Sequence, residues 1–229
     1  MKPSTIAHNP EELLGPLNPV ERKNAPAELY LAGDETLLTE GARVAIVGSR
    51  RATPEGLKRA AGLAKALVER GIVVVSGLAE GIDSAAHQAA IAYGGRTIAV
   101  LGTPLDRTFP ASNKALQQRI IDEHLAISQF PIGKRTYPSS FPMRNRTMAL
   151  ITDATVVVEA GEKSGTRHQG WEALRLGRML FLMESFVASS TATWAEEMLQ
   201  YGARVLSREN LDDFLSFIPE RTGGEPLAF

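Results

Sequence analysis

VAIVGSRRATPEG, residues 44–56, is the stretch on which the fold turns. Val44-Ala45-Ile46-Val47 is an uninterrupted apolar run, the pattern of a strand buried on both faces, and Gly48 ends it. An Ala/Leu-rich helix follows to about Arg70, where Gly71 stops it. Working outward, the same cycle recurs. Strands are predicted at Ile72–Val75, Thr97–Leu101, Leu125–Ser128, Ala154–Val158, Met179–Met183 and Arg204–Leu206. Helices are predicted over Gly81–Tyr93, Ser112–Glu123, Gln169–Leu176, Ala192–Tyr201 and Leu211–Phe217. Phe130–Arg146 is predicted as an irregular, partly basic loop, with helix returning at Thr147. Parallel strands need crossover helices, so this alternation predicts α/β architecture: a doubly wound, mostly parallel sheet with helices on both faces and ligands at the carboxyl ends of the strands. Residues 1–40 are read as an N-terminal arm partly packed on the domain, 41–218 as the domain itself, and 219–229 as a loose tail.

Composition narrows the function. With 44% hydrophobic and 22% charged residues the chain can bury a sizeable core. It has no cysteine, which removes disulfides, thiolate metal sites and cysteine nucleophiles and fits a cytoplasmic setting. No apolar run approaches the ~20 residues of a membrane span, and the N-terminus lacks the apolar segment of an export signal. A formal net charge of −1 argues against bulk electrostatic attraction to nucleic acid, so any such site must be a local patch.

Four loops can carry chemistry. Gly48-Ser49-Arg50-Arg51 precedes a helix and can meet a phosphate; the plainer reading is that Gly48 makes a turn and the arginines are solvated. Neither a GxGxxG fingerprint nor a Walker GK[ST] is present, which disfavours ordinary NAD or ATP binding, and no cofactor is expected. Gly77 and Leu78 sit in the tight loop after the second strand. Further on, Asp83 can cap the next helix, and His87, four residues on, is read as a structural histidine because no third metal ligand is evident. Phe141-Pro142-Met143-Arg144-Asn145-Arg146 combines a stacking ring with two guanidinium groups, against the plainer reading of a core Phe and surface arginines. Lys163-Ser164-Gly165-Thr166 can form an anion nest or merely cap a helix. The topology puts all four along one sheet edge, which favours a single extended groove.

Together with GGRTIAVLG at 94–102, the motifs VAIVGSRRATPEG, VVVSGLAEGIDSAAH at 73–87, FPMRNRTMA at 141–149 and VVVEAGEKSGT at 156–166 resemble the DNA-processing protein A (DprA/Smf) family over roughly Pro26 to Ile218. The resemblance implies an extended Rossmann fold, a homodimer, binding of incoming single-stranded DNA in natural transformation, and loading of the RecA recombinase. Carried over residue by residue, the groove would use Gly48, Ser49, Arg50, Gly77, Leu78, Phe141, Arg144, Asn145, Arg146, Lys163, Ser164, Gly165 and Thr166. The chain is expected to correspond to the family's core alone, without a helical N-terminal or winged-helix C-terminal domain. It departs from the family pattern at Arg167–Glu172, where small residues are usual, and at Met183-Glu184-Ser185, where Pro-Gly is usual. Those departures leave open a divergent role in nucleotide sensing or defence.

Two other readings compete. Related nucleotide-handling proteins hydrolyse nucleoside monophosphates with a carboxylate and an arginine, and here Glu159 and Glu172 are the candidate carboxylates. Gly161 is not followed by glycine, however, and Gln169 stands where those hydrolases have Glu, so catalysis is not expected. The third reading is a purely structural or protein-binding domain. If the groove is right, Arg144→Ala weakens DNA binding in a folded protein and Phe141→Leu weakens it without changing its salt dependence.

Overall fold

The computed structural model describes residues 6–189 and 192–219. From residue 220 on, the expected tail lies outside the described residues. The repeating cycle becomes β2 (Arg43–Gly48), α3 (Pro54–Glu69), β3 (Val73–Ser76), α4 (Ile82–Ala92), β4 (Thr97–Leu101), α5 (Lys114–Glu123) and β5 (Leu125–Ser128). It continues through α6 (Ser140–Ile151), β6 (Ala154–Glu159), α7 (Thr166–Arg175), β7 (Met179–Met183), α8 (Glu184–Ala188), α9 (Trp194–Gln200), β8 (Arg204–Leu206) and α10 (Leu211–Phe217). Ahead of these lie α1 (Pro10–Leu14), α2 (Pro19–Asn24) and β1 (Tyr30–Gly33).

One eight-stranded sheet runs in the order β1-β5-β4-β3-β2-β6-β7-β8. Every pairing is parallel except β1 with β5, so the expected doubly wound, mostly parallel α/β sheet is what forms. Chain order reverses between β2 and β6. That reversal opens the crevice in which such sheets bind ligands.

The two-residue period of a strand explains the apolar runs. Val44, Ile46, Val74, Val156 and Val158 meet Ala60, Leu63, Leu67, Ala86 and Ala90 from α3 and α4, together with Phe214 from α10. Their neighbours Ala45, Val47, Val75 and Val157 face Met148 and Ile151 of α6 and Trp194 and Met198 of α9 on the other side. Both faces are therefore dry, each of the larger side chains (Val, Leu, Ile, Phe or Met) contributing roughly 1.5–3 kcal/mol of burial.

Two features depart from the sequence-based expectation. The first forty residues include a strand. Tyr30–Gly33 pairs antiparallel with Leu125–Ser128, and Leu29, Leu31, Leu37 and Leu38 are buried in the core. Secondly, α6 begins at Ser140, not at Thr147, so Phe141, Arg144, Asn145 and Arg146 stand on a helix and not in a loop. Pro142 falls in its first turn, where a missing N–H breaks no helical bond. Beyond that turn the helix is buried almost all round, so its sequence shows no amphipathic period to detect. α7 likewise starts three residues early, at Thr166. Among the described residues no helix is long and apolar enough to cross a membrane.

Candidate nucleic-acid interface

At the switch point the carboxyl ends of β2 and β6 diverge around a cleft of about 520 Å³. Gly48, Ser49, Arg50 and Arg51 form one bank, and Lys163, Ser164, Gly165 and Thr166 the other. Phe141, Arg144 and Asn145 of α6 line it between them. Two local links fix its width: the Thr166 hydroxyl donates to the Gly48 carbonyl at 3.1 Å, and the Asn145 amide donates to the Gly165 carbonyl at 3.4 Å. Ser164 accepts from the Thr166 backbone N–H at 3.2 Å, which shapes the turn into α7.

The β2 bank is not the free phosphate nest that its sequence suggests. The Ser49 N–H donates to the Glu159 carbonyl at 2.7 Å, and the Ser49 carbonyl accepts from the Ile82 N–H. The start of α3 is occupied too: the Glu159 carboxylate accepts the Thr53 N–H at 3.0 Å and its hydroxyl at 2.5 Å. What this bank offers a ligand is the exposed Arg50 and Arg51 side chains and the part-exposed Ser49.

Arg144 is 6% exposed. One guanidinium nitrogen donates to the Gly77 and Val100 carbonyls, the latter at 2.8 Å, and Nε donates to Asn145 Oδ1 at 3.0 Å. Gly77 is required here, because a Cβ at that position would lie 2.0 Å from the guanidinium. Below it the Asp83 carboxylate accepts from the Gly77 and Ala79 N–H groups at 3.1 and 3.4 Å. Burial pushes the Asp83 carboxyl above its ordinary value, while the nearby Arg144 charge and those two amides pull it down. Burial lowers the Arg144 pKa in turn, with Asp83 opposing. The pair thus braces the loop after β3 from beneath, and Arg144 is part of the frame as well as of the lining.

Three expected residues stand apart from the cleft walls. Leu78 is fully buried, holds a left-handed backbone at φ 57°, and gives its carbonyl to Asn113. Gly77 borders a smaller compartment beyond Phe141. Arg146 pairs with Glu172 at 3.4 Å on the flank of α6 and α7. Both carboxylates considered for hydrolysis are therefore engaged within the protein, Glu159 at Thr53 and Glu172 between Arg146 and Arg175. His87 is buried in the core with Nδ1 2.7 Å from the Thr97 hydroxyl, as expected of a structural histidine, and burial depresses its pKa to about 3. Among the described residues no cluster of His, Asp and Glu could hold a metal.

The cleft also has members that the sequence did not disclose. His168 lies along its α7 side. Phe109 borders the smaller compartment and packs its ring on Phe141. Neither carries a local signal, since a single histidine or phenylalanine is ordinary anywhere in a chain.

The family model described as DNA recombination-mediator protein A matches residues 10–219. This chain belongs to that family. The DNA processing protein DprA of Bacillus subtilis is 34% identical over 196 residues, which is 86% of this chain, and that of Streptococcus pneumoniae is 37% identical over 184 residues, or 80%. The chain spans 65% and 64% of those two relatives' lengths, and about half of a mycobacterial relative. The crystal structure of the pneumococcal protein superposes with a TM-score of 0.79 at 31% identity, covering 93% of this chain and 74% of that one. A structure of DNA processing protein A from Helicobacter pylori, described for its single-stranded DNA binding mode, gives the same TM-score at 27% identity and covers 96% and 98% of the two chains. The family match begins at Pro10, so it includes the leading helices α1 and α2 that the motif resemblance, starting near Pro26, leaves out.

Proposed function

We propose that this chain binds single-stranded DNA along the switch-point cleft and, as a recombination mediator, handles incoming DNA in natural transformation and promotes RecA loading. The observation that carries the reading is the cleft's composition. On a chain of net charge −1, Arg50, Arg51 and Lys163 converge on one groove with the part-exposed ring of Phe141 between its banks. Cations that track phosphates, combined with a ring on which any base can stack, suit a flexible strand better than a duplex. Membership of the recombination-mediator family and the DNA-binding description of the Helicobacter relative support it.

In this reading Gly48, Ser49 and Arg50 contact the strand from one side and Lys163, Ser164, Gly165 and Thr166 from the other. Phe141 stacks, and Arg144 and Asn145 set the floor between them. The protein acts as a cytoplasmic homodimer, needs no cofactor, and binds without catalysing a reaction.

Fluorescence anisotropy with labelled oligo-dT and a matched duplex tests it. The expected result is micromolar or tighter binding to the single strand only. Three phosphate contacts predict a log–log salt slope of about −2, at ~0.7 per phosphate for single strands. No binding at low salt refutes the proposal, and so does release of free base from a nucleoside monophosphate.

A further inference from the structure

Arg50, Ala79, Phe141 and Arg144 line not only the main cleft but also a second compartment of about 80 Å³, so the two adjoin at the Phe141 ring. On its far side stands Phe109. It is 53% exposed, comparable to Phe217 of α10 at 54%, whereas Phe130, Phe181, Phe186 and Phe214 are at most 4% exposed. The Phe109 and Phe141 ring centroids are 5.4 Å apart with the planes tilted by 50°, and the Arg50 guanidinium carbon lies 5.7 Å from the Phe141 centroid. The backbone is shaped for this pair. A Cβ at position 102 would sit 2.6 Å from the Phe141 ring, so Gly102 lets that ring come close to the end of β4.

We propose that Phe109 and Phe141 form a two-ring subsite, covered by Arg50, that takes one nucleobase at the end of the path. The inference rests on the single-strand reading above and adds a residue to it. The larger compartment has Lys163 and the Ser164–Thr166 turn and suits phosphate and sugar. The smaller one is well below the ~300–1,000 Å³ of ordinary ligand clefts, so it admits part of a nucleotide, not a whole one. A tilted aromatic pair leaves a face of Phe109 open to solvent, and every base has a π-face to lay on it. Arg50 serves both compartments: it neutralises the phosphate that precedes the stacked base and holds the Phe141 ring through its face. The chemistry requires a base and not merely a charge, and it tolerates all four bases.

Phe109→Leu tests the assignment, because the side chain is half exposed and the variant is expected to melt like the parent. Anisotropy titrations compare parent and variant on oligo-dT and on a strand of the same length made of abasic residues. Oligo-dT binding is expected to weaken about fivefold or more, the loss of one stacked base, with an unchanged salt slope. On the abasic strand parent and variant are expected to bind equally, and Phe109→Trp is expected to bind oligo-dT at least as well as the parent. If the parent binds oligo-dT and Phe109→Leu binds it equally well, the subsite is wrong while the cleft reading stands. A loss of equal size on the abasic strand also overturns the stacking role. If the parent binds no single strand at all, both readings fall.

Discussion

Two helices, α3 and α7, start at the carboxyl ends of the neighbouring parallel strands β2 and β6, yet only the first has an acid at its N-terminus. The α3 terminus is closed. Thr53 caps it through the Gly56 N–H, and Glu159, arriving from the end of β6, supplies a carboxylate where a phosphate would otherwise go. At α7 the cap residue is Gly165 and the first amides turn to neutral partners, Thr166 N–H to the Ser164 hydroxyl and the Arg167 and His168 N–H groups to the Ser164 and Gly165 carbonyls, while the nearby acid is turned away. The Glu162 carboxylate accepts the Thr193 N–H at 2.8 Å and its hydroxyl at 3.0 Å. A helix N-terminus attracts anions only if the protein has not already provided one. The pair teaches that the glycine turn following the first strand, the more conspicuous motif in the sequence, is the less available anion site. Its contribution comes through the Arg50 and Arg51 side chains.

The largest test of this contrast is Arg144→Ala. Removing a guanidinium that is buried above Asp83 should cost about 3 kcal/mol or more, read as a fall in chemical-denaturation stability. The deficit has a pH signature. Because the folded-state pKa of Asp83 is raised, its contribution is present below the ordinary carboxyl value and is lost as pH rises through the folded value. A protonated Asp83 no longer needs the cation, so the gap between variant and parent should narrow as pH falls into the carboxyl range. An Arg144→Ala protein as stable as the parent at neutral pH that simply fails to bind DNA would place Arg144 with the ligand contacts instead of the frame.

Next in size is Glu159→Ala, which reopens the α3 terminus. Loss of the carboxylate from the Thr53 N–H and hydroxyl should cost about 1–2 kcal/mol of stability. Oligo-dT affinity should be kept or improved, since an acid next to the cleft has gone. Weakened binding in this variant would break the comparison by showing that the closed terminus is needed for the strand.

The smallest effect is expected for Lys163→Ala on the open bank. The side chain is exposed and carries no stability, so melting should be unchanged. Oligo-dT affinity should fall a fewfold at low salt, and the salt slope should flatten by about one ion or slightly less. An unchanged slope removes the α7 bank from the phosphate path.

How much of this was legible follows from where each signal resides. The parallel strands were visible because a run such as Val44–Val47 is apolar on both faces, and the glycine-bearing loops were visible because the topology must bring their strand ends together. Tyr30–Gly33 was missed since four residues at an antiparallel edge are too few to establish a period, and its partner lies about ninety-five residues away. The early start of α6 was hidden by Pro142, whose effect depends on its position in the turn. Burial of Arg144 could not be foreseen either. Arginine is normally a surface residue, and only the Gly77 and Val100 carbonyls, brought together by the sheet, make an interior place for it. Phe109 belongs to the site through one contact across thirty-two positions, which no local pattern records.

Glu21 of α2 and Arg178, just ahead of β7, form an ion pair whose side chains are only 5% and 2% exposed. Arg178 also donates to the Leu150 carbonyl at the end of α6. Each charge is tolerable only while the other is present, since an unpartnered buried ion is far costlier than an apolar residue in its place. The two positions, 157 apart in the chain, are therefore bound to a common inheritance. Across related sequences an arginine at 178 should accompany an acid at 21, lineages that shed α2 should carry an uncharged residue at 178, and a chimera that exchanges the first twenty-five residues should fold only if this pair travels together.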